Sequence, residues 1–259
     1  MSIAQASESS EQAWSAEEWK VRRDLAACYR LIDHFGWTDL IYNHITARVP
    51  GEGHHILINP YGLHYEEIKA SNLVKIDLDG NKVEPSHYGI NKAGYVIHSA
   101  VHAARQDVRC VVHTHSRFGV AVSCLEEGLL PITQGGLQFY NRLAYHDYEG
   151  IALDLDERAR LVADLGDRNA MILRNHGLLT CGRNVSEAFG RMYYLEQACQ
   201  VQIDTRAAGQ PVNKLYEAVS EHTAKQWETG DGSVEEDETR SEWGALLRLL
   251  DRRDPSYRE

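Results

Sequence analysis

The sequence predicts an α/β sandwich folded as one domain. Apolar residues recur at helical spacing in several segments, the first carrying Leu25, Cys28, Tyr29, Leu31 and Ile32. Other short runs alternate with period two, as Ile45, Ala47 and Val49 do against Thr46 and Arg48. Mixed short strands flanked by helices are what a sheet covered by helices requires.

The elements follow in order. Residues 1–13 read as a disordered leader. Ser15-Ala16-Glu17-Glu18 matches a capping box, and the helix it starts runs to Gly36. Strands are expected from Ile45 to Val49, His55 to Ile58 and Val74 to Leu78. Turns at Gly51-Glu52-Gly53 and Asp79-Gly80-Asn81 separate or end them. A helix from Ala93 to Arg105 precedes a short buried strand, Val108 to His115. A helix from Asp156 to Leu165, a strand over Ala170–Leu173, and a long helix from Glu187 to about Ala207, capped by Ser186, complete a domain spanning 14–208. Residues 209–259 read as a C-terminal extension. Within it, 228–242 is acidic and expected to be mobile, and Trp243 to Arg252 forms a short terminal helix.

Bulk properties exclude several classes. The chain has 259 residues, is 43% hydrophobic and carries a formal net charge of -11. No run of Lys or Arg exceeds a pair, which argues against nucleic acid. No apolar run approaches the roughly 20 residues of a membrane span, and Met1 to Gln12 lacks the apolar stretch of a signal peptide. The five cysteines form no CxxC pair, so neither a disulfide framework nor a thiolate zinc site is indicated. A cytoplasmic chain is expected. The 13 histidines direct attention to metal or acid/base chemistry.

The sharpest feature is Val111-Val112-His113-Thr114-His115-Ser116. Residues i and i+2 of a strand share a face, so His113 and His115 present two imidazoles together at the end of an apolar strand. His176, in Arg174-Asn175-His176-Gly177, follows a strand and precedes a glycine that permits a sharp turn. Three neutral imidazoles with one position left open is the pattern of a catalytic zinc-type site. An HxH pair alone also suits a solvated or structural role. His98 and His102 form a rival i, i+4 pair on one helix face. With no Glu beside either, they read as a packed His98 and an exposed His102.

Beyond this point the residues resemble a known family. The run Asn91-Lys92-Ala93-Gly94-Tyr95-Val96-Ile97-His98-Ser99-Ala100 is followed by Val112-His113-Thr114-His115 and by Ala121-Val122-Ser123 with Leu129-Leu130-Pro131-Ile132. His146-Asp147-Tyr148 and Arg174-Asn175-His176-Gly177-Leu178 come next. In this order and spacing, over about residues 20–208, the chain resembles the class II aldolase/adducin head domain, closest to its bacterial adducin-like branch. The resemblance implies a three-layer α/β/α sandwich with a mixed, mostly antiparallel central sheet. It implies a homotetramer with sites between subunits. It also implies a divalent metal, zinc first and manganese next, held by His113, His115 and His176. Such a metal polarises a substrate carbonyl and stabilises the enolate left by C–C cleavage.

The sequence departs from the sugar-phosphate aldolases of that family. Their acidic residue four positions before the helix His is here Gly94, and their phosphate-binding serines are Lys92 and Ala93. Their Gly-Asn loop is Asn43-His44. A lyase acting on an unphosphorylated carbonyl or carboxylate compound is therefore expected, with Lys92, Asn43 and His44 binding substrate and His146 and Tyr148 handling protons. The alternatives are a non-catalytic adducin-like assembly module and a metal-dependent epimerase. Tyr216 or His222, beyond the long helix, is a candidate to reach a neighbouring subunit's site.

Overall fold

The structure is a computed structural model. It describes residues 14–51, 53–150, 157–229 and 240–259, with backbone alone at 92 and 93. The expected leader and most of the acidic segment at 228–242 lie outside the described residues, as do Glu52 and Asp156.

The strands are β1 (His44–Arg48), β2 (Ile56–Ile58), β3 (Val74–Ile76), β4 (Cys110–Thr114), β5 (Leu143–His146), β6 (Ala170–Leu173) and β7 (Gly177–Gly182). They form one sheet in the order β3-β2-β1-β4-β7-β6-β5. Neighbours pair antiparallel except β5 and β6, which run parallel. The sheet is thus mixed and mostly antiparallel, as expected. The helices are α1 (Ala16–His34), α2 (Lys92–Ala104), α3 (Arg117–Ser123), α4 (Glu157–Leu165), α5 (Val185–Ala207), α6 (Glu217–Thr229) and α7 (Glu242–Arg253).

Alternation along the strands builds three layers. Cys110 and Val112 of β4 join Leu25, Leu31, Phe189 and Leu195 of α1 and α5 in one core. Val111, between them, joins Ile97 and Val101 of α2 and Leu161 and Leu165 of α4 in the other. The sheet therefore lies between an α1/α5 layer and an α2/α4 layer. His113 follows the parity of Val111 and faces the α2 layer.

Local signals explain the element ends. Ser15 Oγ accepts from the Glu18 N–H at 3.1 Å, as its capping box predicts. The long helix starts earlier than expected, at Val185. Its cap is not Ser186 but Asn184, whose Oδ1 accepts from the Glu187 N–H at 2.8 Å. Asn184 has an extended φ of -156°, the geometry of an N-cap, while Ser186 already lies within the helix. Two strands escaped the alternation signal. β7 is buried at all six residues, so it shows no polar face, and β5 is only four residues long.

Helix α7 is close to the terminal helix expected, and it packs into the main core. Trp243 and Leu250 are each 5% exposed there, and Tyr257, just beyond the helix, is 0% exposed.

Candidate metal centre

Two pieces of backbone, the end of β4 and the β6–β7 hairpin, bring His113, His115 and His176 together. His113 is the penultimate residue of β4, and His115 lies just past the strand's end. Behind His115 the chain turns into α3. Buried Glu196 of α5 fixes that turn by accepting from Ser116 Oγ and, at 2.9 Å, from the Gly119 N–H. Burial raises the Glu196 carboxyl above its ordinary range.

His176 sits in the tight hairpin between β6 and β7, where Leu173 pairs with Gly177 and three residues make the connection. Asn175 takes the left-handed conformation at φ 56°, which asparagine tolerates. Gly177 lets β7 begin directly against β4. A Cβ there would lie 2.3 Å from the Thr114 carbonyl oxygen. That close approach sets His176 beside His115.

The three rings converge through Nε2. His113 Nε2 is 3.0 Å from His115 Nε2, which is 2.9 Å from His176 Nε2. Each pair of ring centroids is 4.8 Å apart. The outer nitrogens are committed elsewhere. His113 Nδ1–H donates to the Leu178 carbonyl at 2.8 Å. His115 Nδ1–H donates to Asp39 Oδ2, also at 2.8 Å. In the neutral form of either ring those bonds fix the tautomer and leave Nε2 as a bare lone pair. Burial first, then the neighbouring imidazoles, hold His113 well below the usual histidine range. Burial, then His115 and His146, push His176 down to about 4.

Uncharged nitrogens with lone pairs crowded to 3 Å repel unless something positive lies among them. Nitrogens bound tetrahedrally to zinc at about 2.0–2.1 Å stand roughly 3.3 Å apart, close to the spacings here. Among the described residues these three form the cluster whose ligand atoms suit a metal ion. The donor set fits a divalent cation of the zinc type.

The other expected site residues divide. His44 opposes His113 across the β1–β4 pair, so the two share a sheet face. Its ring centroid is 5.1 Å from that of His113, it is 4% exposed, and neither nitrogen has a hydrogen-bond partner. Asn43 is 1% exposed and donates from Nδ2 to the Trp37 carbonyl at 2.9 Å, which leaves only its Oδ1 unpartnered. The Lys92 side chain lies outside the described residues.

Tyr148 is 55% exposed, with its ring 6.4 Å from that of His176. His146 is buried and donates from Nδ1 to Asp164 Oδ2 at 2.7 Å. The Glu157 carboxylate lies 3.5 Å from its Nε2, without the alignment of a hydrogen bond. His146, Tyr148 and His176 line one small cavity. Tyr216 and His222 are exposed, Tyr216 to 84%.

His102 corrects an expectation. It is 0% exposed, like His98. The two share one helix face, and that face rests on the sheet. There Thr46 Oγ1 lies 2.8 Å from both His98 Nδ1 and His102 Nε2. One hydroxyl donates to one bare ring nitrogen and accepts from the N–H of the other ring. Asp39 and Thr46 carry no sequence signal of their own. Register across β1 and β4 is what places Thr46 under α2, and a loop places Asp39.

Comparison with known proteins agrees with this fold. Residues 23–203 match the family model described as Class II Aldolase and Adducin N-terminal domain. An aldolase II superfamily protein from Pseudomonas syringae superposes with a TM-score of 0.88 at 51% identity, over 95% of this chain and 98% of that one. Alpha-adducin of Rattus norvegicus is 43% identical over 92% of this chain and 34% of its own length. The L-fuculose 1-phosphate aldolase of Glaciozyma antarctica superposes with a TM-score of 0.81 at 30% identity, over 94% of both chains.

Proposed function

The chain belongs to the class II aldolase and adducin family, and from that premise we propose that it is a metal-dependent lyase. Its substrate is a small, unphosphorylated carbonyl or carboxylate compound, cleaved by a retro-aldol step or by decarboxylation. The observation that carries this reading is the convergence of three imidazole Nε2 atoms on one point. His113, His115 and His176 would hold a divalent cation, zinc before manganese. Bound there, it supplies Lewis acidity that polarises a carbonyl oxygen and steadies the negative charge growing on it.

The remaining residues orient groups and move protons. Asp39 and the Leu178 carbonyl keep two of the rings aimed. As the C–C bond breaks, its electron pair is left conjugated with the carbonyl; the departing fragment leaves as an aldehyde or ketone after its hydroxyl gives up a proton, or as CO2, and a proton then returns to carbon. Tyr148 stands at the exposed end of the cavity and offers a phenol for that transfer. His146, between Asp164 and Glu157, handles the proton behind it. To Asn43, His44 and Lys92 falls the binding of the substrate's polar end. Leu40 and Tyr42, 65% and 50% exposed, flank Asp39 and His44. A neighbouring subunit of a cytoplasmic homotetramer would cover them and complete the site.

A second reading rests on the 43% identity to alpha-adducin, and makes the chain an assembly module without catalysis. The intact histidine trio favours the enzyme, because a scaffold has no physical use for it.

The test is metal content followed by a substrate panel, run with zinc and with manganese. Simple 2-hydroxy and 2-oxo acids are compared with L-fuculose and ribulose phosphates. The proposal expects about one metal per chain and turnover of the acids. Turnover of a sugar phosphate alone overturns the substrate class. Interconversion of isomers without C–C cleavage identifies an epimerase instead, and protein with neither metal nor turnover favours the assembly module.

A further inference from the structure

Gly94 lies in α2 with no left-handed φ to explain it. Glycine inside a helix is unfavourable relative to other residues, so its presence asks for a packing reason. That reason is His44. A Cβ at position 94 would lie 2.1 Å from His44 Cδ2 and 2.7 Å from its Cγ and Nε2. The ring has no retreat. His98 stacks on it, with centroids 4.4 Å apart and planes 20° from parallel, and the His113 ring meets it edge-on. The imidazole of His44 therefore fills the space that any side chain at 94 would enter, directly beside the metal cluster.

Both His44 nitrogens are buried and neither makes a well-formed hydrogen bond, the Gly94 backbone being within weak reach only. A buried imidazole with neither nitrogen well satisfied is costly and calls for an explanation. We infer that His44 closes the metal site on its α2 side as a ligand-binding residue, and that the imidazole wall it forms there with His98 and His113 selects a small anionic oxygen chelate, such as a 2-oxo or 2-hydroxy carboxylate. This rests on the metal-site reading above and names the substrate class for it.

The argument is one of charge. His44, His98, His113, His115 and His176 contribute imidazoles to this wall. An imidazole that ligates through a ring lone pair brings no charge of its own. Neutral donors leave a divalent cation its full charge. The carboxylate bonded to the trio is Asp39, on the outer nitrogen of His115 and 45% exposed. A carboxylate reaching in from position 94 would cancel part of the charge. With an imidazole there, neutralisation on the α2 side is left to the incoming ligand, in a pocket where charges are poorly screened. The His44 N–H can then donate to a carboxylate oxygen, a charge-assisted bond that satisfies it. A neutral diol gains neither interaction.

The test uses the full zinc-loaded chain, titrated calorimetrically with oxalate, inorganic phosphate and ethylene glycol. Oxalate should bind at least about tenfold more tightly than phosphate, and glycol should not bind; one hydrogen bond to a charged group is worth roughly that factor or more. His44→Ala should keep its metal and lose about tenfold or more in oxalate affinity. Gly94→Glu should lose thermal stability and metal uptake through the clash. His44→Ala/Gly94→Glu should regain both, and bind oxalate more weakly still than His44→Ala. Three results overturn the inference while leaving the metal reading standing: Gly94→Glu as stable as the parent, unchanged oxalate affinity in metal-loaded His44→Ala, or phosphate preferred to oxalate. Failure of the parent chain to hold zinc overturns the metal reading and this inference with it.

Discussion

Asp39 Oδ2 accepts the Nδ1–H of His115 at 2.8 Å across 76 residues of sequence, and that bond decides which nitrogen of His115 faces the cluster. Were Nδ1 bare, the neutral ring would carry its proton on Nε2 and offer no lone pair to a cation. Asp39 is 45% exposed, so its contribution to folding is small while its effect on the ligand is direct.

Asp39→Ala is therefore expected to weaken zinc binding about ten- to a hundredfold, the usual cost of losing a carboxylate behind a histidine ligand. Stability of the metal-free protein should change by less than about 1 kcal/mol. Competition against a chromophoric chelator measures the first and urea unfolding the second. Unchanged zinc affinity would show that the ring is held by packing alone.

The metal-free protein should lose stability on mild acidification. His176 is pushed down to about 4 from an ordinary 6.5, by burial first and then by His115 and His146. Burial likewise holds His44, His98 and His113 well below that value. As pH falls below about 6.5 the unfolded chain takes up protons on these residues and the folded chain does not. Stability is then fully present above that pH and declines as pH drops toward the folded values. The slope is at most about 1.4 kcal/mol per pH unit for each histidine. Urea midpoints at pH 8, 6 and 5 test this, and equal midpoints at pH 8 and 5 would contradict it.

Thr46 makes a third case. Its hydroxyl serves His98 Nδ1 and His102 Nε2, each at 2.8 Å, and all three residues are 0% exposed. Thr46→Val keeps the shape and strands both nitrogens. A loss of about 1–3 kcal/mol for each unsatisfied group is expected, whereas Thr46→Ser should recover most of it. If valine proves as stable as threonine, the two histidines have other partners.

How much of this could be read along the chain depended on the distance over which each relationship acts. The shared face of His113 and His115 is a property of two-residue spacing, and the turn at His176 follows from its adjoining glycine. Both were legible. The burial of His102 follows from its i, i+4 relation to His98, yet reading it needs the sheet beneath α2. The pairing of His44 with His113 is a matter of β1–β4 register, which strand patterns alone leave open. Gly94 could be read only as a missing acid. That an imidazole from another strand fills its place appears once the strands are paired.

The last prediction concerns the C-terminal helix. The sequence shows it as an amphipathic segment beyond an acidic stretch, which gives no indication of where its apolar face goes. In the structure that face meets α1. Trp243 Nε1–H donates to Asp24 at 3.3 Å, Arg30 pairs with Asp254 at 3.0 Å, and the Ala70 N–H donates to the Tyr257 carbonyl at 3.0 Å. Leu250 is 5% exposed within the main core. Leu250→Ala should cost about 2–5 kcal/mol, the range for a truncated core leucine. Val219→Ala, on α6 at 48% exposure, is the control and should stay within about 0.5 kcal/mol. Both are read from urea unfolding followed by tryptophan fluorescence, for which Trp243 is a probe within the helix itself. If α7 only rests on the surface, Leu250→Ala will behave like the control. A separate early transition for α7 would mean that it docks as a unit of its own, with the 14–208 domain folding without it.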